Sequence, residues 1–143
     1  MAIERVGVIG AGQMGAGIAH VAALAGKAVV LIDVDATLAE KGVAVVRKNL
    51  GRQVEKGKVA AEAAEAALVR ISVASDLAAL ADADLAVEAI VENEEVKRGL
   101  FTRLDALLAP GAILASNTSS ISITRLAAAT KRPESVIGMH FMN

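Results

Sequence analysis

Three groups of residues carry chemistry that can be read from type and spacing alone. The first is Gly10-Ala11-Gly12-Gln13-Met14-Gly15, followed by an acid, Asp33, that ends the next apolar run. In this spacing Gly10 permits a tight turn, Gly12 leaves a pyrophosphate free to approach the backbone, and Gly15 lets a helix pack closely on a strand. The backbone of Ala11, Gln13 and Met14 completes a turn whose N–H groups, at a helix N-terminus, attract phosphate. Asp33 lies about 20 residues on, where a carboxylate accepts hydrogen bonds from an adenosine ribose and repels a 2′-phosphate; together these residues predict NAD rather than NADP. The second group is Ser116-Asn117-Thr118-Ser119-Ser120, which read alone is either a polar site or a helix N-cap. The third is His140, a candidate acid/base because imidazole titrates near neutrality. His20 is expected to be a partly buried helix residue without chemistry, and Asp35 a solvated loop acid.

The elements that must position these groups follow from hydrophobic period and turn residues. Residues 3 to 9 end in a buried strand, and Met14, Ile18, Val21, Ala22 and Ala25 recur at helical spacing until Gly26. AVVLID, 28 to 33, is a second strand, so strand, glycine turn, helix and strand make a βαβ unit. Residues 36 to 68 are rich in strong helix formers and predict a helical hairpin broken near Gly57. Strands are expected at 69 to 73, 84 to 91, 112 to 116 and 135 to 141, and a helix near 122 to 130. A further helix capped by Asn93 carries Val96, Leu100, Leu104, Leu107 and Leu108 on one face and stops at Pro110-Gly111. This alternation predicts an α/β, Rossmann-type doubly wound, mainly parallel sheet with a helical hairpin inserted after the second strand.

Composition narrows the function classes. The 143 residues make one domain of which 55% is hydrophobic, enough to bury a core. Sixteen acidic and fifteen basic residues leave a net charge of −1, and there is no Trp or Tyr, so neither a nucleic acid partner nor a base-stacking surface is expected. The uncharged stretch from Val6 to Gly26 holds six glycines and is preceded by Glu4 and Arg5 with no net positive charge, which argues against a membrane span or a signal peptide. The absence of cysteine excludes disulfides and thiolate metal sites and fits a cytoplasmic setting; no metal is expected.

The segments VGVIGAGQMGAGIA, RKNLGRQVEKGKV, VEAIVENEEVKRGLF, ASNTSSISIT and RPESVIGMHF together resemble the NAD-binding domain of the L-3-hydroxyacyl-CoA dehydrogenases, in particular their bacterial 3-hydroxybutyryl-CoA branch. The likeness covers essentially the whole chain. It implies oxidation of a 3-hydroxyacyl-CoA to the ketone with NAD, or the reverse, in fatty-acid or butanoate metabolism. It places His140 on the family's catalytic base, Ser119 on the serine contacting substrate oxygen and nicotinamide, and Asn117 beside them as a further group of the catalytic site. Glu92, Lys97 and Asn143 fall on cofactor-contacting positions, and Asn49 and Lys56 on positions associated with CoA. Met142 stands where the family has a second Phe, a hydrophobic exchange of similar size. The family's histidine-orienting Glu and its C-terminal helical domain, which dimerises and forms much of the substrate cleft, have no counterpart in these residues. The resemblance therefore implies a truncated piece of a homodimeric, acyl-CoA-using enzyme, residues 1 to 143 being its cofactor domain. Two other readings share part of the pattern. Phosphogluconate-type 3-hydroxyacid dehydrogenases open with a similar turn but use a lysine acid/base, and a crystallin-like protein would hold NAD without turnover.

Overall fold

Six short strands, all parallel, form one sheet in the order β3-β2-β1-β4-β5-β6 in a computed structural model that describes residues 2–141. The strands are β1 (Arg5–Ile9), β2 (Ala28–Ile32), β3 (Ile71–Ala74), β4 (Leu85–Glu88), β5 (Ile113–Ser116) and β6 (Val136–Gly138). Between them run α1 (Gln13–Leu24), α2 (Ala36–Glu55), α3 (Ala61–Val69), α4 (Glu94–Leu107) and α5 (Ile123–Ala128). Short 3₁₀ turns at Leu77–Leu80 and Pro133–Ser135 were not anticipated. Asn143 and Met142 lie outside the described residues.

Because every strand is parallel, both sheet faces must be covered, and the apolar residues divide by parity accordingly. Val6, Val8, Val29, Leu31, Leu85, Val87 and Ala115 pack under α1, α2 and α3. Ile9, Ile32, Ala86 and Leu114 face the other way and meet Leu100, Phe101 and Leu104 of α4 and Leu126 of α5. The strand order reverses between β1 and β4, and the crevice that opens there lies at the carboxyl ends of the strands.

The expected doubly wound architecture with its helical hairpin is present, with several local corrections. The strand expected over 84–91 stops at Glu88, because the next free amide, that of Ile90, is taken by the Glu88 carboxylate at 2.8 Å instead of a neighbouring strand. Val69 ends α3 and is exposed rather than opening β3, and the segment expected as a strand over 135–141 is extended only over Val136–Gly138. On α4 the buried face runs through Lys97, Leu100, Phe101 and Leu104, while Val96 is half-exposed. A lysine takes the place that the apolar pattern gave to valine because the buried Glu88 carboxylate awaits it. Asp35 is not merely solvated: its side chain accepts from the Leu38 amide at 2.9 Å and caps α2.

Candidate functional site

The glycine turn joins β1 to α1 as its spacing requires. Gly10 has φ +105°, and a Cβ there would meet the Ala89 carbonyl oxygen at 2.5 Å. A Cβ on Gly15 would collide with the Gly10 carbonyl oxygen, so the helix lies directly on the turn. A Cβ on Gly12 would instead stand in open space in front of the helix. No side chain among the described residues caps α1, and its first turn carries no acid, so its amides face outward toward that space. This cradle fits a pyrophosphate.

Asp33 follows β2 beside the turn. Its Oδ2 accepts from the Ala11 amide at 2.9 Å and its Oδ1 from the Val34 amide at 2.7 Å. Each oxygen retains accepting capacity, and Asp33 borders a cavity of about 820 Å³ together with Gly10, Ile32 and Ile90. The same carboxylate that fixes the turn therefore faces the space an adenosine would fill.

A second cavity, of about 420 Å³, collects Met14, Glu92, Lys97, Asn117, Ser119 and His140. His140 is exposed just beyond β6, and the chain on either side of it is held by the last residue of β5 and by Asn117 just after it. The Met139 amide donates to the Ser116 carbonyl at 2.8 Å, and the Phe141 amide to the Asn117 Oδ1 at 2.8 Å. The side-chain carbonyl of Asn117 thus grips the histidine segment, while its amide nitrogen and the second lone pair of its oxygen remain for the cavity. Ser119 sits between Thr118 and Ser120, whose hydroxyls both donate to Glu92 Oε2, at 2.7 and 2.9 Å. The N-cap alternative does not hold for these five residues: α5 is capped by Ser122, just after them, through the Arg125 amide.

Lys97 reaches this cavity almost fully buried. Its Nζ lies 2.5 Å from Glu88 Oε2 and 3.0 Å from Glu92 Oε1. Partial burial pushes the Glu92 carboxyl up, but hydrogen bonds from Thr118, Lys97 and Ser120 and the charge of Lys97 outweigh it and hold the group down to about 2. Glu88 is wholly buried and was not singled out in the sequence. The signal was an acid inside the apolar run LAVEAIV, which demands a partner.

Other candidates fall elsewhere. Asn49 borders a groove of about 530 Å³ between α1 and α2, which shares Met14 and Phe141 with the histidine cavity. Lys56 is exposed at the C-cap of α2 and does not border that groove. His20 is buried, with Nε2 2.8 Å from Gln53 Oε1, and ties α1 to α2.

Residues 5–143 match the family described as 3-hydroxyacyl-CoA dehydrogenase, NAD binding domain. The chain belongs to this family. NAD is accordingly its cofactor, in agreement with the turn and Asp33. The chain is 62% identical over 141 residues to the 3-hydroxybutyryl-CoA dehydrogenase of Bradyrhizobium diazoefficiens, covering 99% of this chain and 48% of the relative. The crystal structure of the (S)-3-hydroxybutyryl-CoA dehydrogenase of Ralstonia eutropha superposes with a TM-score of 0.95 at 42% identity, over 99% of this chain and 50% of that one. FadB2 of M. tuberculosis matches with a TM-score of 0.96 at 47% identity, over 100% and 50%. The chain spans about half the length of the curated relatives it matches. No helix among the described residues is long and apolar enough to cross a membrane.

Proposed function

We propose that this chain is the cofactor-binding half of an enzyme that interconverts 3-hydroxyacyl-CoA and 3-ketoacyl-CoA, with short acyl chains such as the hydroxybutyryl group of its relatives' names. The observation that carries this reading is the convergence of His140, Ser119, Asn117, Glu92 and Lys97 on one cavity beside the glycine cradle. The nicotinamide ring, when bound, supplies the hydride acceptor or donor. His140 takes the proton from the 3-hydroxyl, since imidazole exchanges protons near neutral pH. Ser119 donates a hydrogen bond to the oxygen as it gains charge. The groove past Met14 and Phe141, with Asn49 on its wall, receives the CoA chain, and Lys56 meets its phosphates from outside. Asp33 holds the adenosine ribose, Glu92 and Lys97 the nicotinamide side, and Asn143 adds a further cofactor contact. The remaining half of the enzyme supplies dimerisation, a group that orients His140 and the rest of the cleft, and the protein works in the cytoplasm.

In the full-length enzyme, His140→Gln is expected to lower kcat about 100-fold or more while NADH affinity stays unchanged. Near-normal turnover would remove His140 from the mechanism. Turnover undetectable in the unaltered enzyme, with NADH bound, would favour the crystallin-like reading instead.

A further inference from the structure

We infer that Glu88 is a positioning residue, whose buried carboxylate sets the place of the Lys97 ammonium and of the hydroxyl turn at the cofactor cavity. This rests on the reading of that cavity given above. Side-chain parity along β4 puts Glu88 on the α4 face with Ala86, and the sheet register sets it opposite Ser116 of β5. From that point its carboxylate binds three separate segments. Oε2 accepts from Lys97 Nζ, in the first turn of α4, at 2.5 Å and from the Ile90 amide, in the loop after β4, at 2.8 Å. Oε1 accepts from the Ser116 hydroxyl at the end of β5.

The contacts continue until they close on themselves. Lys97 reaches Glu92, Glu92 takes the hydroxyls of Thr118 and Ser120, and the Thr118 amide donates to Ser116 Oγ at 3.1 Å. Ser116 returns to Glu88. The ring's outer members, Lys97 and Glu92, border the cavity, and Thr118 and Ser120 turn their hydroxyls away to Glu92, with Ser119 between them on the cavity wall. Glu88, like Ser116, Thr118 and Ser120, borders neither this cavity nor the adenosine-sized one, yet it is 0% exposed and bonds to three separate segments of the chain. A buried ion pair adds little stability over an apolar pair of the same volume. Leu100, Phe101, Leu104 and Ala86 show that this side of the sheet readily builds an apolar core. Geometry is what the pair contributes.

The test is a double-substitution cycle on this chain, Glu88→Gln, Lys97→Met and both together. NADH affinity is followed by the fluorescence of the dinucleotide and fold stability by urea unfolding. Positioning through Lys97 predicts that Glu88→Gln weakens NADH at least tenfold in the folded protein, and that adding Lys97→Met costs little more. NADH affinity equal to the unaltered chain in Glu88→Gln would overturn the inference. So would full multiplication of the two losses, because Glu88 would then act independently of Lys97. If Glu88→Gln does not fold, Ser116→Ala removes the ring's two bonds through this hydroxyl, to Glu88 and from the Thr118 amide, and leaves the ion pair; a severalfold loss of affinity is expected, and none overturns the inference. Should the unaltered chain fail to bind NADH, the reading of the cavity falls. The positioning claim is then decided by amide hydrogen exchange at Ile90 and Thr118, which must speed up in the same variant; unchanged exchange would sink it.

Discussion

At the scale of single residues, Asp33 serves two tasks at once. It accepts from the Ala11 amide of the glycine turn and faces the adenosine-sized cavity. Asp33→Ala removes both, and because a hydrogen bond to a charged group is worth roughly 1.5–3 kcal/mol, NADH affinity should fall about tenfold or more. Asp33→Asn separates the tasks: its carbonyl oxygen still accepts from Ala11, but the charge that repels a 2′-phosphate is gone. Parallel titrations with NADH and NADPH should show the asparagine variant losing selectivity with little loss of NADH affinity. Unchanged selectivity would refute the assignment of Asp33 to the ribose. This residue was legible in the sequence because its partner is a turn at a fixed distance along the chain. Glu88 was not, since its partners Lys97 and Ser116 are brought to it by helix docking and sheet register. Only its charge within an apolar strand marked it.

At the scale of elements, the least expected device is the end of α4. Arg132 is buried and its guanidinium reaches the carbonyls of Asp105, Leu108, Ala109 and Ala112 while its Nε donates to Asp105 Oδ1 at 2.6 Å. A helix leaves its last carbonyls without partners, and here one planar cation satisfies several of them. Arg132→Met strands Asp105 and these carbonyls, so the urea-derived stability should drop by about 3–5 kcal/mol. A loss below 1 kcal/mol would show the cap to be dispensable. Nothing local in KRPES announced this, because the partners lie more than a helix away in sequence. Acid should loosen the same side of the sheet. The Glu92 carboxyl is held from its ordinary 4.5 down to about 2, and Asp105 is also lowered, because hydrogen bonds and Arg132 outweigh its burial. Folded values below the unfolded ones give stability that is present above the unfolded pKa and lost as pH falls through the folded one. Urea midpoints should therefore decline from about pH 4.5 toward pH 2, and Glu92→Gln should flatten that decline. An identical acid limb in the variant would show that Glu92 is not coupled to folding.

At the scale of the whole molecule, the crevice is where the two halves of the sheet meet. Its walls come from β1 and β2 on one side and from β4, β5 and the segment after β6 on the other. A ligand seated there clamps both halves, so NADH at about 100 times its Kd should stabilise the fold by about 2.7 kcal/mol and raise Tm by roughly 5–10 °C. A thermal scan with NADPH at the same concentration should show a much smaller shift; equal shifts would contradict selection by Asp33. The architecture was legible because strand and helix periods alternate cleanly from residue 5 onward, and the hairpin because its residues favour helix so strongly. The exact ends of β3, β4 and β6 were not, since a strand stops where a neighbour or a side chain claims its amides, as Glu88 does for Ile90. One consequence of the parallel order concerns time rather than geometry. Gly10 packs against Ala89, and the histidine segment is fastened beyond β6 through Met139 and Phe141, so the site's parts are synthesised far apart. At about 5–20 residues per second, roughly 5–20 s separate the emergence of Asp33 from that of His140 on a translating ribosome. A nascent chain thus exposes the glycine turn and every residue bordering the adenosine-sized cavity, the last of them Arg103, before it presents the histidine proposed as the base.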